Sequence, residues 1–212
     1  KAMASKDREY RSMELRIEKR EDGAEPSFFV EGYASTFSPY VLMTVDDVDY
    51  SERIEPNAFE GADMSDVVFR VDHQGPVYAR TSAGSLEVWT DEHGLAQRAD
   101  LGKTQRGRDL YADIEAGNYP QMSFAFSVAE DHYDKATHTR IIDRIAKVYD
   151  VSPVVFPANP TTELSVSTRD YFNGVIEAEK AERLEEERRE RQKQKIRILL
   201  EVSKHGNQDH DY

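Results

Sequence analysis

The sequence predicts a strand-rich chain with one short internal helix and a long charged helix towards its C-terminal end. Three observations carry this. Several short segments alternate apolar and polar residues, or run apolar and β-branched, between turn-forming clusters. One stretch, 103–115, sets Leu110, Tyr111 and Ile114 at helical spacing. Residues 177–195 are almost wholly charged, with Glu179–Arg183, Glu185–Arg189 and Glu187–Arg191 spaced i to i+4, which supports a solvent-exposed helix.

Residues 12–18 alternate strictly and put Met13, Leu15 and Ile17 on one face, as a half-buried strand does. Glu21-Asp22-Gly23-Ala24-Glu25-Pro26 reads as a turn, and 28–37 as the second strand of an opening hairpin, with Gly32 marking a bulge or a close backbone approach. Residues 38–53 read as a polar, irregular loop. Asp46, Asp47 and Asp49 cluster there, but the Gly and Glu positions of an EF-hand are missing, so a solvated loop is favoured over a calcium site. A short buried strand over 67–71 runs straight into His73. Strands over 85–90 and 95–101 are joined by the hairpin turn Asp91-Glu92-His93-Gly94. Thr104 is the expected N-cap of the internal helix, and Gly117-Asn118 its stop. A strand over 122–128 and a turn-rich stretch holding His132 and His138 follow. The run over 140–155 is strand-like and ends at Phe156-Pro157-Ala158-Asn159-Pro160, a rigid turn.

Composition shifts after about residue 167. Nothing apolar occurs between Leu184 and Ile196, so the charged helix lacks a coiled-coil seam. It reads as a solvated helix, or one that docks only by its ends, with Ile196, Ile198, Leu199, Leu200 and Val202 as an apolar distal end. The organisation is therefore an N-terminal extension over 1–11, a single domain over 12–167, the charged helix over 168–202 and a disordered tail over 203–212. Lys1-Ala2-Met3-Ala4-Ser5 reads as a cloning remnant.

The bulk properties exclude several classes. At 212 residues and 38% hydrophobic content the chain supports one sizeable core. It carries 28 Lys and Arg against 41 Asp and Glu, and a formal charge of -13 argues against nucleic acid as a partner. Absence of cysteine excludes disulfides and thiolate zinc sites and fits a reducing compartment. No apolar run approaches the roughly 20 residues needed to span a bilayer, and the charged first 20 residues do not resemble a signal peptide. A soluble cytosolic domain, with no membrane partner, is the expectation.

One constellation offers a reaction: His73 in Val71-Asp72-His73-Gln74-Gly75, Ser123 in Met122-Ser123-Phe124-Ala125-Phe126, and Asp150 in Val148-Tyr149-Asp150-Val151-Ser152-Pro153. A serine hydroxyl needs a neighbouring base, imidazole has a suitable pKa, and a carboxylate on the second ring nitrogen fixes its tautomer. Met122, Phe124 and Phe126 alternate with Ser123 and Ala125, so the bulky side chains anchor one face and leave Ser123 on the other. Composition alone does not select these residues from the other serines and histidines. His93 reads as a turn residue, His132 and His138 lack a third ligand for zinc, and His205 and His210 lie in the tail.

The order of segments resembles the prohead serine protease family of tailed bacteriophages, the capsid-maturation proteases related to the herpesvirus maturation protease. The resemblance runs over about 13–167. It rests on Glu31-Gly32-Tyr33-Ala34-Ser35, Glu52-Arg53-Ile54-Glu55-Pro56-Asn57-Ala58-Phe59, the His73 and Ser123 segments, Glu92-His93-Gly94-Leu95, and residues 150–160. It implies an α+β fold, a largely antiparallel barrel with surrounding helices, like that of the herpesvirus protease. It also implies a serine endopeptidase that needs no metal or other cofactor, with Ser123 as nucleophile, His73 as general base and Asp150 as third member. The family often has Glu at that last place, and the related herpesvirus protease has a histidine as its third member, so another histidine is the alternative to Asp150. Asn57 and Ala125 stand where the family often shows Gly. Arg140 and Arg144 are candidates for an oxyanion role or for structural ion pairs. The implied substrate is the scaffold segment of a capsid protein, and the chain itself by autoproteolysis, inside an assembling procapsid in the host bacterial cytoplasm; a homo-oligomer is compatible. The charged helix would dock the enzyme on the scaffold or be removed on activation. The alternative is a catalytically silent assembly protein of the same fold.

Overall fold

Residues 8–14, 28–155 and 166–206 are described by the structure, a computed structural model. The turn expected over 21–26 and the one over 156–160 lie outside the described residues, as do the supposed cloning remnant and the end of the tail. The chain divides into two units, Lys1–Thr168 and Arg169–Tyr212.

Alternation makes most of the first unit into strands. β1 (Glu9–Glu14) starts three residues before the expected first strand. β2 (Phe29–Thr36) carries its bulge between Tyr33 and Ser35, just beyond Gly32. Residues 38–53, expected to be irregular, instead form a hairpin of β3 (Tyr40–Val45) and β4 (Val48–Ile54). Its two-residue turn is Asp46-Asp47, both at positive φ (52° and 61°). Such a type I′ turn matches the twist of the flanking strands, and Asp is among the few residues that tolerate the left-handed region. The acidic pair is thus a turn device. β5 (Val68–Val71) and β6 (Gln74–Arg80) form a second tight hairpin.

A single 3-10 turn (Thr81–Ala83) leads to β7 (Leu86–Thr90) and β8 (Gly94–Asp100), the expected hairpin. In α1 (Gln105–Glu115), the Thr104 side chain accepts from the Gly107 amide at 3.0 Å, and Leu110 and Ile114 are buried. Gly107 lets this helix lie against the chain: a Cβ there would sit 2.2 Å from the Leu101 carbonyl oxygen. β9 (Gln121–Asp134) and β10 (Thr139–Val154) are long antiparallel strands, so the stretch holding His132 is strand rather than turn.

Among the described residues seven strands join in one sheet with the path β1-β9-β10-β4-β3, to which β5 and β6 attach through β10, while β2-β8-β7 forms a second sheet, so β1 and β2 do not pair as the expected opening hairpin. The 16-residue β10 is long enough to pair parallel with β4 at its start (Thr139–Ile142 against Ser51–Ile54) and with β5 near its end (Asp150 and Val151 against Val68 and Phe69). The expected barrel is not what forms. Most strand pairings are antiparallel, as expected, although β10 pairs parallel with β4 and β5; among the described residues neither β1 nor β3 pairs onward to close the sheet. Among the described residues the strands of this unit are accompanied by α1 and the first residues of the C-terminal helix. Closure is not needed because the two sheets share a core, in which Val30, Ala34, Leu86 and Leu95 of the smaller join Phe124, Phe126, Ile142 and Val151 of the larger.

A buried ionic network fastens β1. Arg11 binds Glu52 through Nε at 2.5 Å and Glu9 through Nη2 at 2.8 Å, while Arg140 binds Glu9 at 2.7 Å, Glu52 at 3.1 Å and Asp131 at 2.5 Å. The Tyr40 and Thr168 hydroxyls donate to Glu52 and Glu9. Burial by itself would raise the Glu9 pKa, but the Arg11 and Arg140 guanidiniums prevail and hold it at about 2. Removing one partner from such a cluster strands a buried charge.

In the second unit the charged segment is helical as read. α2 (Val166–Gly206) runs four residues past the expected end at 202. Its Glu185–Arg189 and Glu187–Arg191 pairs lie at 2.7 and 3.9 Å. No helix among the described residues is long and apolar enough to cross a membrane.

Candidate active site

Two strands and one turn bring the chosen residues together. In β9, Met122, Phe124 and Phe126 are fully buried on the core face, and the rings of Phe124 and Phe126 stack at 4.5 Å. Ser123 and Ala125 occupy the opposite face, as the alternation requires. Directly across the ladder, Ser123 pairs with Ser152 of β10 and residue 12 of β1; Ala125 pairs with Asp150 and Tyr10. Opposed residues in an antiparallel pair share a face. Ser123, Ser152, Asp150 and Tyr10 therefore converge on one side of the sheet.

His73 arrives from the β5–β6 turn. Val71 pairs with Gln74, leaving Asp72 and His73 as a two-residue loop with φ of 47° and 56°. This is again the backbone of a type I′ turn opened by Asp, but a histidine at the second place costs about 1–2 kcal/mol relative to glycine. Such strain persists where surrounding contacts hold it, and functional sites are where it gathers. Here the Asp72 amide donates to the Pro153 carbonyl at 3.1 Å, and the Asp72 carboxylate accepts from the Val155 amide at 3.2 Å. The turn is thereby tied to the end of the strand that carries Asp150.

The result is a continuous relay. His73 Nε2 lies 2.6 Å from Ser123 Oγ, and Nδ1 lies 2.5 Å from Asp150 Oδ1. A buried carboxylate accepts only, so Nδ1 carries the proton and Nε2 is left to accept from the serine hydroxyl. The Ser152 hydroxyl donates to the same Oδ1 at 2.7 Å. A bulge in the β9–β10 ladder between Val148 and Asp150 re-aims the strand here, and the Asp, short as it is, reaches the imidazole. Ser123 and Asp150 are 1% and 2% exposed; the His73 side chain is 16% exposed. The Tyr10 ring packs on the imidazole with centroids 4.5 Å apart.

Arg140 belongs to the ionic network, and Arg144 pairs with Glu130 at 3.0 Å. Arg144 stands eight residues along β10 from Ser152, roughly 26 Å at about 3.3 Å per residue, so neither arginine serves Ser123. His132 pairs with Asp143 at 2.6 Å on the surface, and the His138 ring packs on Tyr50. Neither joins the relay as a substitute for Asp150. No group of three or more metal-ligating side chains occurs among the described residues. Sequence reasoning passed over Ser152, Asp72 and Tyr10. Period two already put Ser152 on the face of Asp150; for the other two nothing in the sequence reports the contact.

Serine, histidine and aspartate joined in that order through the two ring nitrogens define the arrangement of a serine hydrolase. Residues 13–175 match the caudovirus prohead serine protease family, and the chain belongs to that family. The prohead protease of Enterobacteria phage HK97 is 34% identical over 142 residues, which are 65% of this chain and 58% of that protein. The chain thus spans 58% of the length of that curated relative. The bacteriophage T4 capsid assembly protease superposes with a TM-score of 0.43 and 15% identity, over 71% of this chain and 98% of that one.

Proposed function

We propose that this chain is a serine endopeptidase of capsid maturation that uses Ser123, His73 and Asp150. Ser123 Oγ attacks the scissile carbonyl as His73 Nε2 takes its proton. Asp150 steadies the imidazolium through Nδ1. The imidazolium then protonates the leaving amine, and water, activated by the same nitrogen, releases the acyl group. The observation that carries this is the unbroken Ser123–His73–Asp150 relay, with contacts of 2.6 and 2.5 Å. A silent assembly protein of the same fold would have no need to hold a strained histidine against a buried serine.

Family membership directs the choice of substrate to the scaffold segment of the cognate capsid protein, inside the procapsid in the host cell, with autoproteolysis as a second action. Co-incubation of the chain with its cognate capsid protein is the test. Wild type should shorten the capsid protein and Ser123→Ala should not. Equal fragments from both, or from neither in assembled particles, would sink the proposal. Self-cleavage is read from the same gels: Ser123→Ala should stay full length while wild type shortens.

A further inference from the structure

The surface of α2 carries a pattern that the catalytic reading does not use. Leu184, Ile196, Ile198, Leu199 and Leu200 are 58%, 51%, 59%, 68% and 57% exposed, far more than aliphatic side chains of a finished surface. At about 100° per residue Ile196, Leu199 and Leu200 fall on one side of the helix. The same stripe continues backwards through Gln192, Arg189, Glu185, Ala181 and Ala178, all of them exposed.

Charge is divided along the helix. Residues 177–187 carry six carboxylates against two cations, whereas 188–197 carry six cations against one carboxylate. A helix acidic in one half and basic in the other is complementary to itself when a second copy runs antiparallel, because a two-fold axis near residue 187 lays each half on its opposite. Glu185 of one copy then faces Arg189 of the other, and Ile196 of one faces Ala178 of the other, so bulky aliphatic groups meet small ones. A parallel pair would set like charges side by side along the whole length, which is unfavourable. The charge pattern therefore selects both the partner and its direction.

We propose that α2 joins two copies of this chain as an antiparallel helix pair centred near residue 187. The absence of a heptad seam does not oppose this, since the ends supply the apolar contact and the middle supplies charge. Packed helices lie about 8–10 Å apart, comparable to the Debye length of about 8 Å at physiological ionic strength. The pair is accordingly salt-sensitive. Its central ion pairs form without desolvating buried groups: Arg189 and Glu185 are 71% and 65% exposed within one helix and need only exchange partners. Nothing in this depends on whether Ser123 is catalytic.

The test is sedimentation velocity of the full chain bearing Ser123→Ala, which prevents shortening by self-cleavage. The expected result is a dimer at low ionic strength whose Kd weakens by about tenfold or more at high salt. A chain with E182K, E185K and E186K should be monomeric by itself, as should one with R188E, R189E and K193E. Mixing the two should restore a one-to-one dimer, which misfolded chains would not do. A wild-type chain monomeric at both ionic strengths, or reversed chains that self-associate as well as wild type, would overturn the proposal. So would a monomer that instead captures added capsid scaffold segment, which would assign the surface to that partner.

Discussion

Asp150→Asn isolates the carboxylate charge from its geometry. Asp150 Oδ1 is 2.5 Å from His73 Nδ1 and accepts at the same time from Ser152 Oγ at 2.7 Å. Two donors on one oxygen favour the asparagine rotamer that keeps its carbonyl oxygen there. Nδ1 then still donates, and the tautomer survives. What is lost is the attraction between the imidazolium of the transition state and a carboxylate whose charge centre is roughly 4 Å away, worth about 4 kcal/mol at an effective dielectric near 20. That is close to 10³-fold in rate, less than the roughly 10⁴ lost in the best-studied triad, where the same substitution reverses the tautomer. Adding Ser152→Ala frees the amide to turn, and a further loss of about tenfold should follow. Single-turnover cleavage of the cognate capsid protein measures both, with Ser123→Ala as the floor and thermal melting as the check on folding. If Asp150→Asn cleaves within about tenfold of wild type, with cleavage still dependent on Ser123, the charge argument fails and Asp150 is no more than packing.

Three further outcomes are expected. The Glu9 pKa is lowered from 4.5 to about 2, so its contribution, about 3 kcal/mol, is complete above pH 4.5 and disappears as pH falls through about 2; denaturant titrations should show the advantage of wild type over Glu9→Gln shrinking across that window, and parallel pH profiles would contradict it. Phe124→Ala, which empties a fully buried position stacked on Phe126, should lower stability by about 3–5 kcal/mol in urea unfolding. At the left-handed Asp72 position, Asn should be nearly neutral, whereas Val should cost about 1–2 kcal/mol in stability and lower the cleavage rate by loosening the His73 turn.

How much of this was legible in the sequence depended on how local each signal was. The two faces of β9 follow from alternation, and the Thr104 cap and the i to i+4 pairs of α2 follow from fixed helical offsets. The β3–β4 hairpin reads as loop because Asp-Asp lacks the glycine that usually announces a type I′ turn, although each Asp bears the same left-handed backbone, with φ of 52° and 61°. The parallel pairings of β10 and the network of Glu9, Arg11, Glu52, Asp131 and Arg140 were hidden for another reason. They join residues far apart along the chain, and no period connects them. The relay itself is of this kind: only family resemblance points to its residues, and the fold brings them within hydrogen-bonding distance.

The pairing of residue 9 with residue 126 also bears on timing. The β9–β10 hairpin and the two type I′ hairpins close short loops, whereas β1 must close one of more than a hundred residues, and that entropy is paid before any contact offsets it. Strand β1 is therefore expected to dock last, and with it Tyr10 against His73. Interrupted-refolding experiments should find cleavage activity appearing with the slowest folding phase, after most strand signal has returned. Folding in that order makes the packing of Tyr10 on the imidazole of His73 one of the last contacts to form.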